Sequence, residues 1–151
     1  MRAVIQRVTS ASVTVDDRTV GAIARGLLAF VGVERGDGPV DAQYIAAKIR
    51  DLRVFDSLDA SRHMDRSVQD VGGSVLVVSQ FTLAADCRRG RRPSFDAAEA
   101  PQAARPLVDE VVHDLRASGV AVEAGAFQAM MRVALVNDGP VTLLIDSRKR
   151  F

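Results

Sequence analysis

Val136-Asn137-Asp138-Gly139-Pro140-Val141-Thr142 lies between two runs with the pattern of buried strands. Before it, Met131-Arg132-Val133-Ala134-Leu135-Val136 alternates apolar and other residues; after it, Val141-Thr142-Leu143-Leu144-Ile145-Asp146 is again strand-like. The simplest reading is a hairpin in which the two runs pair across a tight turn. Gly-Pro is an awkward choice for such a turn, because proline removes a backbone donor and restricts the residue before it. Glycine lifts most of that restriction and leaves two carbonyls free to point in an unusual direction.

Working outward, residues 2–8 and 11–16 are short β-branched runs, and a polar turn at Asp16-Asp17-Arg18 leads into a further strand at 19–23. Leu27 to Val33 is a continuous apolar run of strand length, as expected for a strand buried on both faces. Gly38-Pro39 reads as a helix entry, and residues 40–52 then carry Tyr44, Ile45, Ile49 and Leu52 at helical spacing. Arg53-Val54-Phe55 has the look of a short return strand, and residues 56–70 of an exposed loop. Ser74-Val75-Leu76-Val77-Val78 is the strongest central strand and runs directly into Ser79-Gln80-Phe81-Thr82-Leu83.

Residues 102–118 place Leu107, Val108, Val111, Val112 and Leu115 on one helical face, and 120–123 reads as a strand. The sum is roughly eight strands and two helices. The expected architecture is mixed α/β, a layered or barrel-like β-sheet with both helices packed on one side, in one domain over residues 1–151. The apolar final hairpin and Phe81, which carries a hydrophobic strand into a polar motif, both predict surface buried against another subunit.

A hydrophobic share of 48% and a charged share of 26% are those of an ordinary globular protein, and a net charge of +1 marks no general polyanion binder. The longest apolar runs are too short to span a bilayer, and Met1-Arg2-Ala3-Val4 leads straight into a strand pattern, so no membrane association and a cytoplasmic location are expected. The single cysteine, Cys87, excludes an intrachain disulfide or a CxxC knuckle. Charge is concentrated at Arg88, Arg89, Arg91 and Arg92, and again at Arg148, Lys149 and Arg150.

The usual catalytic inventory is nearly empty. His63 falls in a polar loop and His113 on a solvated helix face, and no HExxH, DxD cluster or P-loop occurs, so neither metal nor cofactor is expected. What remains is Ser79 to Thr82 at the end of the best core strand. Their hydroxyls can end the strand by bonding their own backbone, or the strand end can present hydroxyls, a Gln amide and free N–H groups to an oxyanion.

Ser79-Gln80-Phe81-Thr82-Leu83 together with Asn137-Asp138-Gly139-Pro140-Val141-Thr142 resembles the paired signature of the D-aminoacyl-tRNA deacylases. The likeness extends through Ile5-Gln6-Arg7-Val8, Ala11-Ser12-Val13, Gly72 to Val78 and Arg92-Pro93-Ser94-Phe95. A longer polar loop at 56–66 and the basic tail from Arg148 to Phe151 depart from it without touching either motif. The resemblance implies a homodimeric hydrolase that cleaves the ester between a D-amino acid and the terminal adenosine of tRNA. It implies a cis Gly139-Pro140 peptide that reaches into the partner's pocket and holds the substrate's amino group, facing Ser79, Gln80, Phe81 and Thr82 of the other chain.

On that resemblance Arg7 is assigned to holding the Gly-Pro segment, since a guanidinium fork can bond several carbonyls; the rival reading is a sheet-edge surface arginine. Met130 lines either the pocket or the core. Arg88, Arg89, Arg91 and Arg92 either contact acceptor-stem phosphates or form a solvated loop. The expected partner is aminoacyl-tRNA, with no DNA.

Overall fold

The computed structural model describes residues 1–151 and contains six strands and two α-helices rather than eight strands and two helices. The strands are β1 (Arg2–Val15), β2 (Arg18–Ile23), β3 (Gly26–Gly32), β4 (Ser74–Ser79), β5 (Ala121–Ala124) and β6 (Arg132–Asp146). The helices are α1 (Pro39–Asp51) and α2 (Pro101–Ala117).

Much of the difference in count lies in two long strands, β1 and β6, each of which takes up two expected ones. Runs 2–8 and 11–16 are not separate strands but a 14-residue strand that continues through exposed Thr9 and Ser10. Along one edge β1 pairs antiparallel with β3 over residues 2–8 and with β2 over residues 11–15. Along its other edge it pairs with β6 from Arg2↔Asp146 to Thr14↔Arg132. Both halves of the expected final hairpin therefore lie on one strand and share one partner. Arg53-Val54-Phe55 is also not a strand: Phe55 makes only an isolated bridge with Arg66.

From β3 the sheet continues in parallel register through β4 to β5, and β2 packs back toward β4 and β5, so the sheet is barrel-like and nearly closed. Every residue of β3 except half-buried Phe30 is buried, as a run apolar on both faces requires. The sheet separates two apolar cores. The larger lies between sheet and helices, with Ile5, Leu27, Ala29, Ile45, Ile49, Val108, Val111 and Leu115; the smaller, on the opposite face, holds Val8, Val13, Leu28, Leu76 and Val78.

Pro39 occupies the first turn of α1, and the Gly38 N–H donates to the Asp41 carboxylate at 2.9 Å, so Gly38-Pro39 is the helix entry expected. α2 begins at Pro101, carries Pro106 within it, and buries Ala104, Val108, Val111, Val112 and Leu115. No helix is long and apolar enough to cross a membrane.

Both arginines of the basic tail are committed to ion pairs. Arg148 pairs with Asp37 at 2.7 Å; Arg150 pairs with Asp146 at 2.6 Å and with Glu34. Asp146 and Glu34 are buried, and Arg2 reaches both, so the tail closes a charged cluster beside the start of β1.

Candidate active site

β4 ends at Ser79, and Phe81–Ala84 form a single 3-10 turn rather than a strand continuation. The turn is held by two hydrogen bonds. The Gln80 N–H donates to the Val31 carbonyl at 2.8 Å, and Arg2 donates to the Leu83 carbonyl at 2.8 Å. Gly32 allows the close approach: a Cβ there would stand 2.7 Å from the Gln80 carbonyl oxygen and 2.9 Å from the Leu83 Cβ.

Neither Ser79 nor Thr82 uses its hydroxyl to bond the main chain; the Thr82 Oγ1 instead accepts from the Gln80 side-chain amide. The N–H groups of Phe81 and Thr82 donate to nothing within the chain. They are the leading donors of the 3-10 turn, so nothing intramolecular competes for them. The Phe81 ring is 59% exposed and meets Phe95 edge to face, with centroids 5.1 Å apart.

Gly139 and Pro140 do not form a turn. The β1–β6 register passes from Val8↔Asn137 to Gln6↔Thr142, so one residue of β1, Arg7, stands opposite the bulge 138–141. The Gly139-Pro140 peptide is cis, and both residues are exposed, while Val141 returns to the core. Arg7 is buried beneath the bulge. Its Nε donates to the Asp138 carbonyl at 3.1 Å, its Nη1 donates to the Val54 carbonyl, and its guanidinium lies 5.9 Å from the Phe55 ring centroid. A surface arginine at a sheet edge has none of these partners.

Sequence reasoning did not single out three residues that complete this assembly. Asn137 donates through Nδ2 to the Arg7 and Val141 carbonyls, at 2.9 and 3.1 Å. The Asp138 carboxylate pairs with Arg7 Nε at 3.1 Å. Asp56 lies 4.0 Å from Arg7 Nη1 and 3.2 Å from His63 Nδ1, and the contact with His63 holds its carboxyl below the usual range. Asn137 carried a signal in the sequence: it is a two-donor amide just before a segment that cannot keep its ladder bonds.

Within one chain, no hydrogen bond or ion pair joins residues 79–82 to residues 137–140. β6 pairs only with β1, so its far edge is open, and Val136 and Leu144 stand on it 56% and 65% exposed. Met130 is 92% exposed, which removes the core alternative; its neighbour Met131 packs against the smaller core instead.

In the basic loop, closed by the Asp86↔Ser94 bridge, Arg88 is engaged with Asp86 at 2.7 Å and holds that carboxyl well below its ordinary value. Arg89, Arg91 and Arg92 are exposed and pair with no carboxylate. His63 and His113 are exposed, as is Cys87, and no group of three His, Cys, Asp or Glu is arranged to hold a metal ion.

Residues 4–146 match the family model described as D-Tyr-tRNA(Tyr) deacylase. The chain is 58% identical to a D-aminoacyl-tRNA deacylase of Syntrophotalea carbinolica and 56% identical to one of Koribacter versatilis, in each case over 100% of both chains. Among solved structures it is similar to a c-Myc DNA Unwinding Element Binding Protein, with a TM-score of 0.90 and 36% identity over 97% of this chain and 98% of that one. A probable eukaryotic D-amino acid tRNA deacylase shares the fold, with a TM-score of 0.82 at 17% identity over 95% of this chain and 97% of that one.

Proposed function

The chain belongs to the D-Tyr-tRNA(Tyr) deacylase family and is a hydrolase of the D-aminoacyl-tRNA deacylase kind; from that premise we propose that it cleaves D-aminoacyl-tRNA in a pocket shared by two copies. The observation that carries the shared pocket is the exposed Gly139-Pro140 bulge, buttressed by Arg7 yet bonded to nothing at Ser79 to Thr82 of its own chain. In a dimer the bulge of one copy meets the strand end of the other. The open edge of β6 supplies apolar surface for that contact.

The chemistry assigned to each group follows from what it has free. The Phe81 and Thr82 N–H groups polarise the ester carbonyl, Gln80 and Thr82 orient it, and the bulge carbonyls hold the α-amino group. Arg89, Arg91 and Arg92 meet acceptor-end phosphates, and Met130 borders the pocket mouth.

Selectivity is the harder task. Rejecting L-aminoacyl-tRNA by 10⁴ takes about 5.5 kcal/mol at about 1.36 kcal/mol per decade, while one apolar contact supplies only ~1–3 kcal/mol. A rigid main-chain wall where an L side chain must go is the better device. Such a wall leaves the D side chain outside and cannot exclude glycine, so broad tolerance and cleavage of glycyl-tRNA are both expected.

The test is cleavage of paired D- and L-tyrosyl-tRNA by the purified protein and by Gly139→Ala and Pro140→Ala variants. Cleavage of the D ester alone, with both rate and discrimination eroded in the variants, is the expected result. Equal cleavage of both esters by the parent protein would refute the chiral reading, and a pure loss of rate in the variants would make the bulge a catalyst rather than a filter.

A second reading, nucleic-acid binding without cleavage, is raised by the similarity to a DNA unwinding element binding protein. The two intact motifs favour hydrolysis; tight binding of tRNA or DNA by a protein inert toward both esters would favour the second reading.

A further inference from the structure

We infer that Asn137 is a positioning residue for the deacylase reaction, the clasp that closes the neck of the Gly139-Pro140 bulge and fixes where that bulge points. The inference rests on the reaction proposed above and assigns a determinant of its specificity outside the groups that touch substrate.

Where four residues of β6 leave the ladder opposite Arg7, the carbonyls flanking the excursion lose their strand partners. The Asn137 amide replaces them. One Nδ2 atom donates to the Arg7 carbonyl at 2.9 Å, across the sheet, and to the Val141 carbonyl at 3.1 Å, at the far end of the bulge. A single side chain thus ties the two ends of the excursion to each other and to β1. Two geminal N–H donors on a short stem are needed for this, a requirement asparagine meets and aspartate inverts.

Arg7 and Asn137 hold different parts of the bulge. Arg7 bonds the carbonyl of Asp138, at its start, whereas Asn137 spans it from base to base. The space above the clasp is also used. A Cβ built on Gly139 would stand 3.3 Å from Asn137 Oδ1, so a side chain at 139 presses on the amide that closes the neck. The absence of a side chain at Gly139 and the amide at Asn137 are therefore one device.

The experiment compares Asn137→Asp, Asn137→Leu and Asn137→Gln by steady-state cleavage of D- and L-tyrosyl-tRNA, with hydrogen exchange of the segment 136–142 as an independent readout. Leucine deletes the donors without adding charge, and aspartate sets a carboxylate against two carbonyl oxygens. Glutamine keeps both donors on a longer stem. Expected is a loss of kcat/KM for the D ester on the order of 10²-fold, the scale of an ångström-sized misplacement, in the order Asp worst, then Leu, then Gln. The ratio of D to L cleavage should fall in the same order and amide exchange in 136–142 should rise, with the central strands unchanged.

Uniform loss of stability, with the D to L ratio and local exchange unchanged in the folded variants, would overturn the inference, as would glutamine behaving no better than leucine. A parent protein that cleaves neither ester would defeat the proposed function, and the exchange comparison would then decide the clasp by itself. A Gly139→Ala, Asn137→Leu double variant should cost less than the sum of its parts; strict additivity would also overturn the inference.

Discussion

Arg7 Nε lies 3.1 Å from the carbonyl oxygen of Asp138 and 3.1 Å from its carboxylate, so one buried guanidinium holds both the main chain and the side chain at the start of the bulge. The other side of Arg7 is held in turn, by the Val54 carbonyl and the Phe55 ring. The segment before the 56–66 loop is therefore part of the buttress for the bulge, although it contributes no group to the proposed pocket.

Replacing Arg7 by Lys should behave nearly as badly as replacing it by Ala, because charge without a planar fork cannot meet Asp138 and Val54 together. Loss of the fork leaves buried carbonyls without a donor, a cost of about 1–3 kcal/mol. The expected result is a lower urea midpoint and a fall in kcat/KM on the order of 10²-fold, with L-ester cleavage rising relative to D. A lysine variant of parental activity would show that charge alone suffices.

The proposed dimer is tested at the open edge of β6. Leu144→Lys and Val136→Asp place charge on residues that are 65% and 56% exposed in one chain, so neither should disturb the fold of a monomer. Sedimentation should shift from dimer to monomer, and activity should fall with the dimer fraction. A monomeric variant of full specific activity would remove the cross-subunit pocket.

How far the fold was legible depends on which forces set each element. Both helices were readable because their apolar faces repeat at 3.6 residues, and β3 because a strand buried on both faces is apolar throughout. The final hairpin was misread because Asp138-Gly139 between alternating runs is a strong local turn signal. The long β1 overrides it by offering both halves of β6 the same partner, a tertiary fact with no local signature. The same holds for the site: Ser79 to Thr82 and Gly139-Pro140 were legible as motifs, but Asn137 and Asp138 acquire roles only once Arg7 is placed opposite them.

The charged tail should show itself at acid pH. Burial opposes ionisation of Asp146, but hydrogen bonds from Arg150 and the Arg148 N–H outweigh it and leave its carboxyl below the ordinary value; burial likewise opposes ionisation of Asp41, where the Ser147 hydroxyl and Gly38 N–H prevail. A depressed folded-state value stabilises above the unfolded carboxyl value of about 3.9 and is lost as pH falls through the folded one. Urea midpoints should therefore drop below about pH 4. Asp146→Asn should cost about 1–3 kcal/mol at neutral pH and flatten that drop. An unchanged acid limb in the variant would place the sensitivity elsewhere.

Salt dependence should separate the four arginines of the basic loop. Arg89, Arg91 and Arg92 pair with no carboxylate, whereas Arg88 is engaged with Asp86 at 2.7 Å. If the free three meet phosphates, each alanine replacement should reduce the slope of log(kcat/KM) against log salt by about 0.7 to 0.9. Arg88→Ala should reduce it less. Slopes unchanged from the parent in all four variants would make the loop a solvated surface.

The source of the nucleophile is the last question the site poses sharply. Thr82 Oγ1 accepts from the Gln80 amide, and no histidine, carboxylate or lysine is hydrogen-bonded to it. A threonine hydroxyl without a base is a weak nucleophile. The free N–H groups of Phe81 and Thr82, by contrast, are suited to a developing oxyanion. In the proposed reaction, bond breaking is then left to water assisted by the ribose hydroxyl next to the ester, with the protein supplying position and polarisation. Thr82→Ala should accordingly retain measurable cleavage, while a tRNA ending in 2′-deoxyadenosine should be cleaved slower by several orders of magnitude. A dead Thr82→Ala enzyme alongside an unimpaired deoxy substrate would reverse the assignment, and burst kinetics with an acyl-enzyme trapped on Thr82 would establish the alternative directly.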